Sequence, residues 1–200
     1  MNPASPARDA ALPRPSPVTR LYLVRHGRAT GGWDDEPDPG LDDVGREQAA
    51  RVALEIASLG PLAIVTSPLR RARETALPLA QRWGAAPVVE PRVGEVPSPE
   101  GVPMGERVPW LRETMSTSWS ALGARYARWR DDVVAALLER TTDTVVFSHF
   151  IAINAAIGSA TNDDRVVIAS LDNTSVTVFD VSDGRLLLRS QGREADTLIR

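Results

Sequence analysis

Arg20-Leu21-Tyr22-Leu23-Val24-Arg25-His26-Gly27 is the stretch on which the reading of this chain turns. A short apolar, partly β-branched run stands between two arginines and stops on a His-Gly pair. That is the pattern of a buried strand that breaks sharply at its carboxyl end. A Gly/Pro/Asp-rich loop follows over residues 31–40. A helix signature comes next, with Asp42 or Asp43 as N-cap and Gly60 to close it. Between them Val44, Ala49, Val52, Ile56 and Leu59 recur at helical spacing.

The strand-then-helix unit repeats along the chain. Leu62–Thr66 reads as a second strand, and Ser67-Pro68 as the start of a helix running to about Trp83, with proline at a permitted early position. Val88–Glu90 is a short strand. Residues 91–109 hold five prolines and form a long connection. Leu111, Met115, Trp119, Leu122, Tyr126, Trp129, Val133 and Leu137 then mark one helical face, with Gly123 as a break or kink. Thr144–Ser148 is the third strong strand and Phe150–Gly158 the helix after it. Arg165–Ser170, Ser175–Val181 and Leu186–Arg189 read as strands, the last two joined by an Asp183-Gly184 hairpin turn. Alternating strands and helices predict a three-layer α/β/α fold, its central sheet mostly parallel and mixed at the side where the terminal hairpin joins.

The 200 residues suit one domain with a tail. Residues 1–18 are proline-rich, without the apolar segment of a secretory signal, and are expected to form a disordered leader. Residues 19–200 are expected to form the single domain. No apolar run approaches the ~20 residues of a membrane span, so a cytoplasmic location is the default expectation. Zero cysteine excludes a disulfide framework and a cysteine nucleophile. All 23 basic residues are arginine, which excludes Schiff-base chemistry and a P-loop lysine. The net charge of −3 argues against nucleic acid as the main partner.

In such sheets ligands bind beyond the carboxyl ends of the strands. The first strand ends in Arg25-His26-Gly27, the second leads into Ser67-Pro68-Leu69-Arg70-Arg71, and the third ends in Ser148-His149. Both histidines of the chain therefore fall at one edge of the expected sheet, with arginines beside them. Arginine forks match phosphate oxygens and stay charged. A neutral imidazole can attack phosphorus, and a second histidine, protonated, can help hold the transferring group. Fixed positive partners stabilise the equatorial oxygens without a metal, and an acid must protonate a poor leaving group. The set reads as metal-independent phosphoryl transfer. No metal motif and no G-x-S-x-G elbow competes with it.

Leu23-Val24-Arg25-His26-Gly27 resembles the nucleophile motif of the histidine phosphatases, the phosphoglycerate mutase-like superfamily. Residues 41–49, residues 67–76 (SPLRRARETA) and Val146-Phe147-Ser148-His149 resemble three further motifs of that family, in the same order. The resemblance implies a phosphoglycerate mutase-like fold. It makes His26 the phosphorylated nucleophile and places Arg25, Arg71 and His149 on the phosphate. It also suggests Glu95, in Pro91-Arg92-Val93-Gly94-Glu95, as the proton donor, with Glu100 and Glu106 as fallback carboxylates. Phe150 after the second histidine favours the family branch that uses a separate glutamate. The segment Arg28–Asp34 departs from that of the glycolytic mutases, so hydrolysis is favoured over mutase chemistry.

The expected activity is a phosphomonoesterase on a small phosphorylated metabolite, with a phosphoprotein as the other substrate class. No cofactor, metal, nucleic-acid or membrane partner is expected, and the sequence leaves oligomeric state open. The alternatives are a mutase-type phosphotransferase and a non-catalytic phosphate-binding module. Arg70 and Arg73 read as a solvated helix face pairing with acids such as Glu74. Arg28 either meets the substrate or forms an exposed ion pair. Trp33 and Trp110 lie in loops expected to overhang the site, whereas Trp119, Tyr126 and Trp129 read as core. Asn173 either reaches the pocket or makes a turn.

Overall fold

The Leu21–Arg25 run becomes β1 (Thr19–Arg25) of a computed structural model that describes residues 18–32 and 36–194. β1 pairs in parallel with β4 (Thr144–Ser148) and antiparallel with β5 (Val176–Ser182). β2 (Ala63–Thr66) lies beyond β4, with β3 (Val88–Val89) at one edge and β6 (Arg185–Ser190) at the other. The six strands run in the order β3-β2-β4-β1-β5-β6. The first four are mutually parallel, and β5 and β6 form the antiparallel side. Asp183 and Gly184 both take positive φ, +50° and +70°, as their two-residue hairpin turn requires.

Strand alternation divides the core into two halves. Leu21, Leu23, Val146 and Phe179 pack with α5 (Ala124–Leu138) and α6 (Phe150–Thr161). Val24, Ile64, Val145 and Phe147 pack with α1 (Asp43–Ala57) and α2 (Arg70–Trp83). These are the three layers of the expected α/β/α architecture. All five residues of β4 are buried, as a strand covered on both faces must be.

Several local expectations are corrected. α1 ends at Ala57, and Val44 and Leu59 are exposed; its buried stripe is Gly45, Ala49, Val52, Ala53 and Ile56. The stripe is set by Gly45, which packs against the loop after β1 so closely that a Cβ there would sit 2.0 Å from the Arg28 carbonyl oxygen. α2 begins at Arg70, not at Ser67-Pro68, because Leu69 is extended and its N–H donates to Ser67 Oγ at 3.2 Å. The 111–137 face is carried by three helices, α3 (Arg107–Met115), α4 (Trp119–Leu122) and α5. Gly123, at φ +86°, makes the second break. The first break is held from a distance: the Trp119 N–H donates to the Asp164 carbonyl oxygen and the Val166 N–H to that of Thr117.

Arg165–Ser170 is not a strand. The N–H groups of Ile168 and Ala169 donate to Asn154 Oδ1 of α6, at 2.8 and 2.9 Å, so a side chain takes bonds that a ladder would need. The expected leader falls almost wholly on residues outside those described; Val18, the first described residue, is exposed. Among the described residues no helix is long and apolar enough to cross a membrane.

Candidate active site

Each strand end at the carboxyl edge of the sheet delivers one part of the site. β1 ends on Arg25 and hands over to His26, whose N–H donates to the Ser148 carbonyl oxygen at 3.0 Å. β4 ends on Ser148, and His149 is the N-cap residue of α6. The chain after β2 turns through Ser67 and presents Arg71 from the first turn of α2. A cavity of about 70 Å³ results, lined by Arg25, His26, Arg71 and Glu95 among others. The His26 and His149 rings lie 5.1 Å apart, centroid to centroid.

The hydrogen bonds of His26 fix its tautomer. Nδ1 lies 2.8 Å from the Gly27 carbonyl oxygen, which can only accept, so Nδ1 carries the proton. Arg71 Nε donates to His26 Nε2 at 3.2 Å, so Nε2 presents a lone pair. Burial, and then the charges of Arg71 and Arg25, push the His26 pKa well below 6.5 and keep the ring neutral. The histidine is thus held as a free base on the cavity wall, the state a nucleophile needs.

Gly27 is pinned in turn. Its N–H donates to Thr75 Oγ1 at 3.0 Å, and the Thr75 hydroxyl donates to the Arg71 carbonyl oxygen at 2.6 Å. One threonine of α2 therefore links the histidine loop to the arginine. A Cβ on Gly27 would meet the Gly45 carbonyl oxygen at 2.7 Å, so neither loop nor helix tolerates a side chain at this crossing. Asn173 Nδ2 donates to the His26 carbonyl oxygen at 2.8 Å, which ties the loop before β5 to the same residue.

The cations are buried. Arg25 donates from Nη1 to the Leu171 carbonyl oxygen, stands 4.9 Å over the Phe150 ring, and keeps its buried Nε without a partner. Burial lowers its pKa to about 10, which leaves it charged at neutral pH. Arg71 is also lowered by burial, while Glu95 and then Asp38 oppose the shift. His149 is fully buried, with Nε2 2.7 Å from Ser67 Oγ and Nδ1 unpartnered. Burial, followed by Arg71, His26 and Arg25, drives its pKa well below 6.5. It is therefore neutral here rather than protonated, because it is buried and two guanidinium groups already stand beside it.

Glu95 reaches the cavity from a 3₁₀ turn over Pro91–Val93. Ser148 Oγ donates to the Val93 carbonyl oxygen at 2.8 Å and fastens that turn to β4. Glu95 accepts from the Val96 N–H at 2.9 Å and, over a longer 3.4 Å, from the Ile151 N–H of α6. Desolvation raises its pKa above 4.5 despite those N–H groups and the two arginines, which shifts the balance toward the protonated carboxyl. Glu100 and Glu106 are exposed and line neither this cavity nor its neighbour.

Among the other residues singled out from the sequence, Arg28 forms an exposed ion pair with Asp42 at 2.5 Å. Arg70 pairs with Glu74 at 2.7 Å, and Arg73 is exposed. Trp110 packs 6.0 Å from Tyr126 against the core, and Trp119 stacks 5.6 Å from Trp129. Trp33 lies outside the described residues. The sequence pattern alone does not mark Thr75, Ser67 and Gly45 as parts of the site. A threonine one turn after the arginine, and a glycine inside the first turn of α1, were the available signals.

A family model described as the histidine phosphatase superfamily (branch 1) matches residues 21–193. A protein of Mycolicibacterium vanbaalenii named glucosyl-3-phosphoglycerate phosphatase is 38% identical over 120 residues, 58% of this chain and 49% of that relative. A probable phosphoglycerate mutase of Cronobacter sakazakii is 37% identical over 86 residues, 40% of this chain and 39% of that protein. The aligned regions thus span about half or less of these curated relatives. The solved structure of a mycobacterial glucosyl-3-phosphoglycerate phosphatase superposes with a TM-score of 0.68 at 21% identity, covering 90% of this chain and 100% of the other. A phosphoserine phosphatase of Entamoeba histolytica, solved with 3-phosphoglyceric acid, gives 0.67 at 22% identity over 89% and 98%. At these identities the structures establish the shared fold.

Proposed function

The chain belongs to branch 1 of the histidine phosphatase superfamily, and from that premise we propose that it is a metal-independent phosphomonoesterase acting through a phosphohistidine on His26. The observation that carries the proposal is the locked His26 ring, with Nδ1–H on Gly27 and the Nε2 lone pair beside Arg71. His26 Nε2 attacks phosphorus and the bond to the ester oxygen breaks. Arg25, Arg71 and the free Nδ1 side of His149 take up the phosphoryl oxygens. Glu95, whose protonated form the removal from water favours, gives its proton to the leaving alkoxide. The resulting carboxylate then takes a proton from water, which attacks the phosphohistidine and releases phosphate. The catalytic unit is residues 19–200, with residues 1–18 as a leader, and the cytoplasm is its proposed location.

The substrate is a small phosphorylated metabolite. The names of the relatives support this, since one is a phosphatase named for a glucosylated phosphoglycerate and another for phosphoserine. A cavity of about 70 Å³ also suits a phosphoryl group better than a folded protein surface.

The test is phosphate release from para-nitrophenyl phosphate in chelating buffer, comparing the unmodified chain with His26→Ala. Turnover that disappears in the variant supports the proposal. Turnover that persists in the variant removes His26 as nucleophile. Activity that appears only with a bisphosphate primer, as transfer without net phosphate release, replaces hydrolysis with the mutase reading.

A further inference from the structure

We infer that Asn173 is a positioning residue for the proposed reaction: together with Thr75 it grips the peptide between His26 and Gly27, and through that peptide it keeps Nε2 as the nucleophilic nitrogen of His26. The inference rests on the phosphatase reading above and assigns the device that orients its nucleophile. The Nδ1–H of His26 has its acceptor only while the Gly27 carbonyl oxygen stands where it does, 2.8 Å away. Gly27 has no Cβ, so its own backbone preference does little to fix that oxygen. Side chains fix it instead. Asn173 Nδ2 donates to the His26 carbonyl oxygen at 2.8 Å, and the Gly27 N–H donates to Thr75 Oγ1 at 3.0 Å. These are the two polar ends of one peptide. In a trans peptide they point opposite ways, so the two grips come from opposite sides. The next peptide carries the acceptor carbonyl, and its Arg28 N–H donates to Gln48 Oε1 at 2.8 Å.

The loop that delivers Asn173 is built around the end of β1. The Thr174 N–H donates to the Arg25 carbonyl oxygen at 3.0 Å, and the Arg25 N–H to that of Ser175 at 3.2 Å. Asp172 Oδ1 accepts the Asn173 N–H at 2.8 Å. Thr174, buried and β-branched, takes φ +56°, a conformation such residues rarely adopt. Strain of that kind persists where the surroundings over-determine it, and here it adjoins the residue whose amide meets the histidine carbonyl. Asn173 is itself buried, and a carbonyl can only accept, so the end of its amide turned to His26 is the donor. Without that donor the peptide can tilt, the Gly27 oxygen leaves Nδ1–H, and nothing keeps the ring proton from Nε2. A protonated Nε2 has no lone pair with which to form the bond to phosphorus as the ester bond breaks.

The experiment is nitrogen NMR of the histidine rings in the full chain, whose two histidines are told apart with His149→Asn. The unmodified chain is expected to show His26 with a protonated Nδ1 and a bare Nε2. Asn173→Ala removes the donor, and Thr75→Val keeps the shape of threonine without its hydroxyl. Both should move the tautomer ratio toward Nε2–H by about tenfold, the effect of one hydrogen bond. Thr75→Ser, which retains the hydroxyl, should restore the unmodified spectrum. The first-turnover burst with para-nitrophenyl phosphate should slow by about tenfold to a hundredfold in Asn173→Ala, as expected of a misplaced reacting atom. Its affinity for inorganic phosphate, held by Arg25 and Arg71, should stay close to the unmodified value. Circular dichroism checks that each variant is folded, and either of the two variants suffices to judge the tautomer. An unchanged tautomer in a folded variant overturns the inference. So does a shifted tautomer with an unchanged burst, or with an equal loss of phosphate affinity. If the unmodified chain releases no phosphate, the phosphatase reading fails; the spectra need no substrate and still decide whether Asn173 sets the tautomer.

Discussion

The two ends of the site are built differently. At the proposed phosphate end, Arg25, His26, Arg71 and His149 stand on strand ends and helix first turns, and contacts from residues remote in sequence hold the group together. Thr75 holds Gly27, Asn173 holds the His26 carbonyl, Ser67 holds His149, and Gly27 crosses Gly45 without room for a methyl group. At the proposed leaving-group end, the Glu95 carboxyl accepts one N–H at 2.9 Å and one at 3.4 Å, in a connection made of 3₁₀ turns and short helices that Ser148 ties to β4. The difference follows the chemistry. Charge develops at the same place for every phosphate ester, so its stabilisers gain from being fixed in advance. The alcohol differs from ester to ester, so no single arrangement around it serves every ester.

The sharpest way to break this comparison is Glu95→Gln. In the first turnover it should slow release of the alcohol from an alkyl phosphate by about 10²–10⁴, the range of general acid catalysis, and slow release of an aryl oxide far less, because the aryl oxide needs no proton. The pH dependence has a matching sign. Activity on the alkyl ester should fall as pH rises through the raised Glu95 pKa, and the variant should lose that alkaline limb. Equal losses on both esters in that first turnover would mean Glu95 is not the acid. Next comes Arg71→Gln, expected to cost about 10²–10³ in kcat on alkyl and aryl esters alike, since it acts on the phosphoryl oxygens. A loss confined to one leaving group would assign Arg71 to the other end.

Gly45→Ala tests the packing behind the phosphate end. Its Cβ would overlap the Arg28 carbonyl, and a destabilisation of about 1–3 kcal/mol is expected in chemical denaturation, with Gly105→Ala, which has open space, as the neutral control. The smallest difference to be read is in the slope of acid stability. His26 and His149 are neutral in the fold far below 6.5, so the unfolded chain binds more protons in that window. Stability is then full well above pH 6.5 and is lost as pH falls through and below it. Thermal melts from pH 7.5 to 5 should show His149→Asn with the shallower decline.

The same contrast governs what the sequence discloses. β1, β2 and β4 are legible because each is an apolar run ending on a polar signal, and their shared carboxyl edge brings Arg25, His26, Arg71 and His149 together. The breaks in the leaving-group region are not legible. Apolar spacing continues from Leu111 to Leu137 as though one helix were present, and the interruption at residues 116–118 depends on bonds to Asp164 and Val166 far along the chain. Arg165–Ser170 looks like a strand because its apolar pattern does not disclose that Asn154 claims its N–H groups. Thr75 looks like an ordinary helix residue until Gly27 is seen against it.

The most direct measurement is capture of the covalent intermediate. The enzyme is mixed with phosphate ester for a single turnover, quenched in base to preserve phosphohistidine, digested and read by mass spectrometry. A phosphoryl group on His26, absent in His26→Ala and accumulating when hydrolysis of the intermediate is slowed in Glu95→Gln with an aryl ester, is the predicted result. A phosphoryl group on His149 instead, or rapid phosphate release with no labelled histidine at any time, would contradict the nucleophilic role of His26.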